Sequence, residues 1–393
     1  MAKTKPDSKS SSKKGNSNYS KTSASPSKGS SPPSPYVLLA EAANKLEEGD
    51  IEGAVPKAQK ALDILGFESD KALPALNLLG EIHVELGDIA AAREYFLHAA
   101  AIDEDGSISE ELGGGAEKFL WLAQLSEEGG QDSVDWFEKG ALCLRIQIQT
   151  LLDLPRRDAE AEANLLEKRR KLAVALCGVV EVYMTDLSWE DDAEQKCEAL
   201  VTEATMVAPE FAEPLQTLAN VRISQQRMDE AQSALKRSLD LWKDLPPEHT
   251  IVPDFPTRVS LARLLMEADM DVEAMDVLER LVGEDDSSVE VWYLGGWGLY
   301  IMGEKQKNGE VQAENGDGES WKVSWISSRQ WLNHSMRLFD QQEYEDERLG
   351  QHAKELLSAL NAELGGADEE EEDDGEEWDG IESSDEDEVM ADS

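Results

Sequence analysis

Between Pro35 and Leu364 apolar residues return every three to four positions, in runs of about 12–15 residues separated by Gly, Asp and Pro. Nothing in this stretch alternates with the period of two that a half-buried strand requires. The pattern predicts an all-α chain built from one amphipathic helix after another.

The runs repeat. A 34-residue unit of two helices, with W-x2-L-G-x2-Y in the first helix and A-x3-F in the second, marks a tetratricopeptide array. The unit beginning at Leu73 places Leu76, Leu79, Gly80 and His83 in the first helix, Gly87-Asp88 in the turn, and Ala92, Phe96 and Ala99 in the second; Glu104 stands where the terminal proline belongs. Small Gly80 and Ala92 let the two helices approach, and Leu79 and Phe96 fill the space between them. The same frame recurs from Pro35 (Leu38, Ala42, Gly49-Asp50, Ala54, Ala58, Ala61), from Ala212 (Leu215, Leu218, Ala219, Ala231, Leu235) and from Phe255 (Leu261, Ala262, Ala274, Leu278). Pro56 is expected to shorten or kink the helix that carries it.

Three further units are irregular. One runs from Ala116 through Phe119, Leu122 and Ala123 to a second helix around Phe137 and Ala141, with both helices expected to exceed the standard length. Another spans roughly Glu167 to Pro209, and the last begins at Trp292, Gly296 and Gly303, then meets an acidic, Gly-rich insertion from Glu304 to Ser320. A helix around Trp331 to Phe339 follows, and an amphipathic helix near Arg348 to Leu360 closes the array, whose ends need a polar outer face. The expected architecture is a tetratricopeptide-repeat superhelical solenoid over residues 35–364: seven helix pairs and a capping helix.

The flanks differ in kind. Residues 1–34 hold twelve serines, seven lysines and one acid, Asp7; residues 365–393 hold sixteen acids and no base. Both are too polar to offset their ordering entropy by burial and are expected to be disordered, the first basic, the second acidic. Lys13 and Lys14 suit a nuclear import signal. Ser383 and Ser384 precede Asp385 to Glu388, an acidophilic kinase pattern, and are expected phosphorylation sites.

Charge narrows the partners. With 83 Asp and Glu against 37 Lys and Arg, the net is -46, and the repeat body alone retains about -36. Such a field repels nucleic acid and anionic membrane and draws in a basic protein or peptide. Cys143, Cys177 and Cys197 show no metal-ligand spacing and are expected to be buried thiols of a reducing compartment. With neither an apolar signal core nor a run of about 20 apolar residues, the chain is expected to be soluble and intracellular.

In this architecture the first helix of each pair lines a concave groove, and helical periodicity turns its positions 2, 5, 9, 12 and 13 inward. The Leu73 unit contributes Asn77, Glu81, Val84 and Glu85; the Ala116 unit, Leu120, Gln124, Glu127 and Glu128; the later units, Gln216, Asn220 and Ile223, then Val259, Arg263 and Met266, then Tyr293, Trp297 and Tyr300. Carboxylates at the N-terminal end and aromatics at the C-terminal end suit a basic, extended segment, through ion pairs and cation–π contacts. A solvated helix face for the four glutamates and a core role for Trp297 and Tyr300 are the plain alternatives. A groove gripping acidic chaperone C-termini would need several inward cations, whereas Arg263 alone is basic among these positions.

Chemistry finds little footing. The five histidines form no H-E-x-x-H pattern, no phosphate-cradling glycine loop occurs, and Gly113-Gly114-Gly115 reads as a flexible connector. Asp103-Glu104-Asp105-Gly106 lacks the acid spacing of a calcium loop. The expectation is a binding protein, with no enzyme activity, cofactor or metal.

The repeat body, with its long irregular middle pairs, the interrupted last pair bearing Trp292 and Trp297, and the Asp/Glu-rich tail, resembles the fungal assembly chaperones of large-subunit ribosomal protein L-four. The resemblance implies a dedicated chaperone whose concave groove takes up the client's long basic internal loop, shields it from aggregation and wrong RNA contacts, and releases it at the pre-60S particle. It implies a one-to-one complex of a monomer with its client, in cytoplasm and nucleus. Acidity alone equally suits a histone or general nuclear chaperone, or a scaffold subunit.

Overall fold

The structure, a computed structural model, describes residues 33–309 and 320–365. Among the described residues every long element is an α-helix. The first two pairs are α1 (Pro35–Glu47) with α2 (Ile51–Leu65), and α3 (Leu73–Glu85) with α4 (Ile89–Ile102). The middle pairs are α5 (Glu117–Gln124) with α6 (Gly130–Leu152), and α7 (Ala159–Met184) with α8 (Ala193–Val207). Then come α9 (Glu213–Ser224) with α10 (Met228–Asp240), α11 (Phe255–Glu267) with α12 (Asp271–Glu284), and α13 (Val289–Lys307) with α14 (Ser320–Gln342), before α15 (Glu347–Leu364). Both tails and most of the acidic insertion lie outside the described residues, Ser383 and Ser384 with them.

The Gly-Asp turns explain why the first two pairs obey the frame so well. Gly49 and Gly87 take the left-handed conformation that ends one helix (φ 76° and 72°), and the next residue caps the following helix: Asp50 accepts from Gly53 N at 3.0 Å, Asp88 from Ala91 N at 3.1 Å. In the α9–α10 and α11–α12 turns the left-handed position falls to Gln226 (φ 61°) and Asp269 (φ 57°), and the capping residues, Arg227 and Met270, make no side-chain cap.

Small residues face rings where helices close on one another, within a pair and between pairs. A Cβ on Gly80 of α3 would stand 2.5 Å from Phe96 Cζ of α4, and one on Gly178 of α7 would stand 2.6 Å from Phe137 Cζ of α6. Odd helices also touch one another, α1 with α3, α7 with α9, α9 with α11, α11 with α13 and α13 with α15, so they form one layer and the even helices the other. Buried apolar side chains run along the array from Leu38 to Leu360.

Three local expectations are corrected. Pro56 does not shorten α2, which spans 15 residues with the proline at its sixth position; the missing amide removes one ladder bond and the helix continues on both sides. In the Ala116 unit only α6 is long, at 23 residues, while α5 has 8. Gly113-Gly114-Gly115 is no flexible connector: a Cβ on Gly114 would meet Ile108 O at 2.1 Å, and the amide of Gly115 donates to Asp103 Oδ2 at 3.1 Å. That carboxylate also accepts from Lys118 Nζ at 2.7 Å, each side chain of the pair 1% exposed, so the segment from Asp103 to Lys118 is stapled from within.

Candidate functional site

The layer of odd helices carries charge bridges that run from one helix pair to the next. Lys171 of α7 reaches Glu117 of α5 at 3.0 Å, Arg170 of α7 reaches Glu213 of α9 at 3.2 Å, and Arg263 of α11 reaches Glu290 of α13 at 2.5 Å. These contacts trace the face of the odd-helix layer, which in the repeat architecture is the inner one. Between α5 and α7 the face dips into a depression of about 400 Å³ lined by Glu117, Trp121, Gln124, Lys171 and Val174.

The predicted groove residues divide over this face. Glu81 of α3 belongs to it: burial pushes its carboxyl above the ordinary value, Glu117 pushes the same way, and Lys171 opposes both. Glu85 is exposed at the end of α3, and Gln124 is exposed at the rim of the depression. Arg263 is exposed and engaged by Glu290. Asn220 and Ile223 are half-buried on α9.

Others have different duties. Asn77 donates to Gly113 O at 2.8 Å and so helps hold the glycine segment. Val84 packs against the core around Phe96, and Leu120 and Val259 are buried. Gln216 is 6% exposed and turned toward Ser238 Oγ of α10 at 3.4 Å. Met266 packs against the C-terminal core. Glu127 and Glu128 are exposed in the loop that follows α5, because that helix ends at Gln124 and has no positions 12 and 13 to offer.

The aromatic end is mostly packed. Tyr293 is buried, its hydroxyl 2.6 Å from His352 Nδ1 of α15, and burial raises its phenol above the ordinary value. Tyr300 stacks on Trp325 of α14, with centroids 5.5 Å apart and planes 3° apart, and its hydroxyl donates to Glu304 at 3.2 Å. Trp297 is half-buried, with His352 edge-on at 5.4 Å, and stays partly open to a guest.

Glu117, Glu213 and Glu290 stand at position 2 of their units, a place the frame turns inward though they were not among the expected contacts, whereas Glu167, Arg170 and Lys171 fall outside the frame. Burial by itself would lower Lys171, but Glu117 and Glu167 outweigh it and hold the amine above its ordinary value. The face therefore contains two adjacent α7 cations that the repeat frame did not place. A signal existed in Lys168-Arg169-Arg170-Lys171, but α7 begins at Ala159, eight residues before the expected start, so no register was available for it.

Nothing in the arrangement resembles an activated nucleophile. Burial pushes the Cys143 thiol up to about 11 and the Cys177 thiol up to about 12, so both stay protonated. Among the described residues no group of three His, Cys, Asp or Glu could hold a metal ion, and no helix is long and apolar enough to cross a membrane.

Paired helices stacked with the odd ones sharing a charge-lined face define a tetratricopeptide-type array, and the Tetratricopeptide repeat family description matches residues 73–105. Over 374 residues the chain is 48% identical to "Probable assembly chaperone of rpl4" of Emericella nidulans, covering 91% of each. It is 32% identical over 349 residues to the protein of the same description in Schizosaccharomyces pombe, covering 88% of this chain and 97% of that one. The solved structure "Assembly Chaperone of RpL4 (Acl4) (Residues 1-338)" is 62% identical and superposes with a TM-score of 0.66, over 70% of this chain and 99% of that one. The chain belongs to the family of rpl4 assembly chaperones.

Proposed function

We propose that this protein is a dedicated, non-enzymatic chaperone of ribosomal protein rpl4, which it holds along the inner face of the helix array. The observation that carries this reading is the kinship with proteins described as rpl4 assembly chaperones, at 48% identity over 91% of the chain. Physical support comes from the inner face, where Glu81, Glu117 and Glu167 of three different odd helices gather around Lys171.

A basic, extended loop of the client would meet these carboxylates first. Glu81 is the most responsive of them, because a desolvated carboxylate gains more from an arriving cation than one already paired in water. At the other end Trp297 offers a half-buried ring for a cation–π contact. Neutralised in this way, the loop is kept from RNA and from aggregation until ribosomal RNA, a far denser polyanion, competes it away at the pre-60S particle. On this reading the complex is one-to-one and travels between cytoplasm and nucleus.

Purification of the protein from cells, with identification of what accompanies it, tests the reading: rpl4 is expected as the principal companion. Histones in abundance without any ribosomal protein would contradict it. Removal of residues 366–393 separates groove from tail, since a groove-held client keeps most of its affinity and a tail-held one loses it.

A further inference from the structure

We propose that a depression between α6, α7 and the segment 104–111 is a second docking site, for a basic segment of the client that carries two aliphatic side chains. This inference rests on the reading of the protein as a holder of basic rpl4. The depression measures about 750 Å³ and shares no lining residue with the one between α5 and α7 on the inner face.

Its floor is apolar and open. Leu142 and Ile146, one helical turn apart on α6, are each 57% exposed, although Cys143 and Leu144 beside them are buried. Two large aliphatic side chains half in water, one turn apart, are the pattern of an anchor face lacking its partner. The wall is preformed, since Asp103 inside the loop binds Lys118 and accepts from the amides of Ile108 at 3.0 Å and Gly115 at 3.1 Å. A docked segment therefore meets a surface that needs no reordering.

The electrostatics select the occupant. Glu104 and Glu111 on the wall make no ion pair among the described residues, and Asp105 caps only its own turn through Ser107 N at 3.1 Å. The cations of the depression are already engaged: Lys168 by Glu110, and Lys139 over the Trp136 ring at 4.3 Å. Open acids and an aliphatic floor together call for lysine or arginine beside leucine-like side chains. A second copy of this chain, with net charge -46, is repelled, as are lipid phosphates and nucleic acid.

The test compares full-length wild type with Leu142→Glu/Ile146→Glu in titrations against purified rpl4. Both side chains are largely exposed, so the variant is expected to melt with the wild type; should it melt early, Leu142→Ala/Ile146→Ala replaces it. Affinity is expected to fall about tenfold, the scale of losing one buried anchor, and a photocrosslinker at position 146 is expected to capture a Lys/Arg-rich stretch of rpl4. Undiminished affinity, or crosslinks to a second copy of this chain alone, would overturn the second site and leave the inner-face reading intact. Failure of the wild type to bind rpl4 at all would overturn both.

Discussion

Lys171 Nζ of α7 lies 3.0 Å from Glu117 Oε2 of α5 and 3.1 Å from Glu167 Oε1 on its own helix, so one amine bridges two carboxylates in the middle of the inner face. A guest lysine or arginine must compete with it for those oxygens. The residue is thus a built-in rival of the client's own cations.

Lys171→Gln is therefore expected to tighten rpl4 binding by about three- to tenfold at low salt, since two freed carboxylates become available at a partly buried site. Titrations at several ionic strengths check this, and the salt dependence should steepen in the variant. Weaker binding would mean that Lys171 organises the face for the client.

Glu81 is the second lever. Because burial raises its carboxyl in the folded chain, the charged form opposes folding; that penalty is full above the folded value and vanishes well below the ordinary 4.5, where the group is protonated whether folded or not. Glu81→Gln should raise the melting temperature at pH 7 by about 1–2 °C, lose that advantage in acid, and weaken rpl4 binding. Melting curves at pH 7 and near pH 3 measure the sign directly. Stability and binding pulling in opposite directions is what a functional carboxylate on this face predicts.

The staple at Lys118 and Asp103 is structural. Lys118→Met leaves a buried carboxylate without its counter-charge and is expected to destabilise the fold by about 3–5 kcal/mol, as breaking a buried pair from one side does. Denaturant unfolding with the tails in place checks it. Asp103→Asn should also destabilise, because Ile108 N and Gly115 N donate to different oxygens of Asp103, one of which becomes an NH2 donor, and Lys118 is left buried without its counter-charge.

Gln226 occupies a left-handed position that glycine fills in the first two pairs. Gln226→Gly is expected to stabilise the protein by up to about 1 kcal/mol, relieving the side-chain clash of that conformation against glycine's extra entropy in the unfolded chain. Chemical denaturation of the single variant reads this out, and rpl4 affinity should not change.

The turns also explain what could be read from sequence. Gly49-Asp50 and Gly87-Asp88 encode a helix stop and a helix cap in two adjacent letters, so the pairs around them, and the all-α solenoid, were plain. Where the code lapses, register lapses with it. The periodicity carries the Ala116 unit on through Glu127 and Glu128, but α5 stops after 8 residues, where Leu125 and Ser126 leave the helix and Gly129 (φ 62°) turns the chain into α6. Periodicity alone assigns a face; it cannot say that Gln216 has found Ser238, or that Asn77 has been claimed by a carbonyl 36 residues away. Nor does periodicity pair Lys171 with Glu117, which meet across 54 residues at a distance that only the packing of α5 on α6 and α6 on α7 determines.

The most direct test of the central claim is the affinity of purified rpl4 for wild type and for Glu81→Lys/Glu117→Lys, measured by titration across a range of salt concentrations. The account predicts at least about a tenfold loss at low salt and a flatter salt dependence, because two carboxylates of the inner face become cations. Glu127→Lys/Glu128→Lys, which changes charge equally but in the loop after α5, should bind nearly as the wild type does. Equal affinity for the inner-face variant and the wild type would contradict the account and place the client elsewhere on the array.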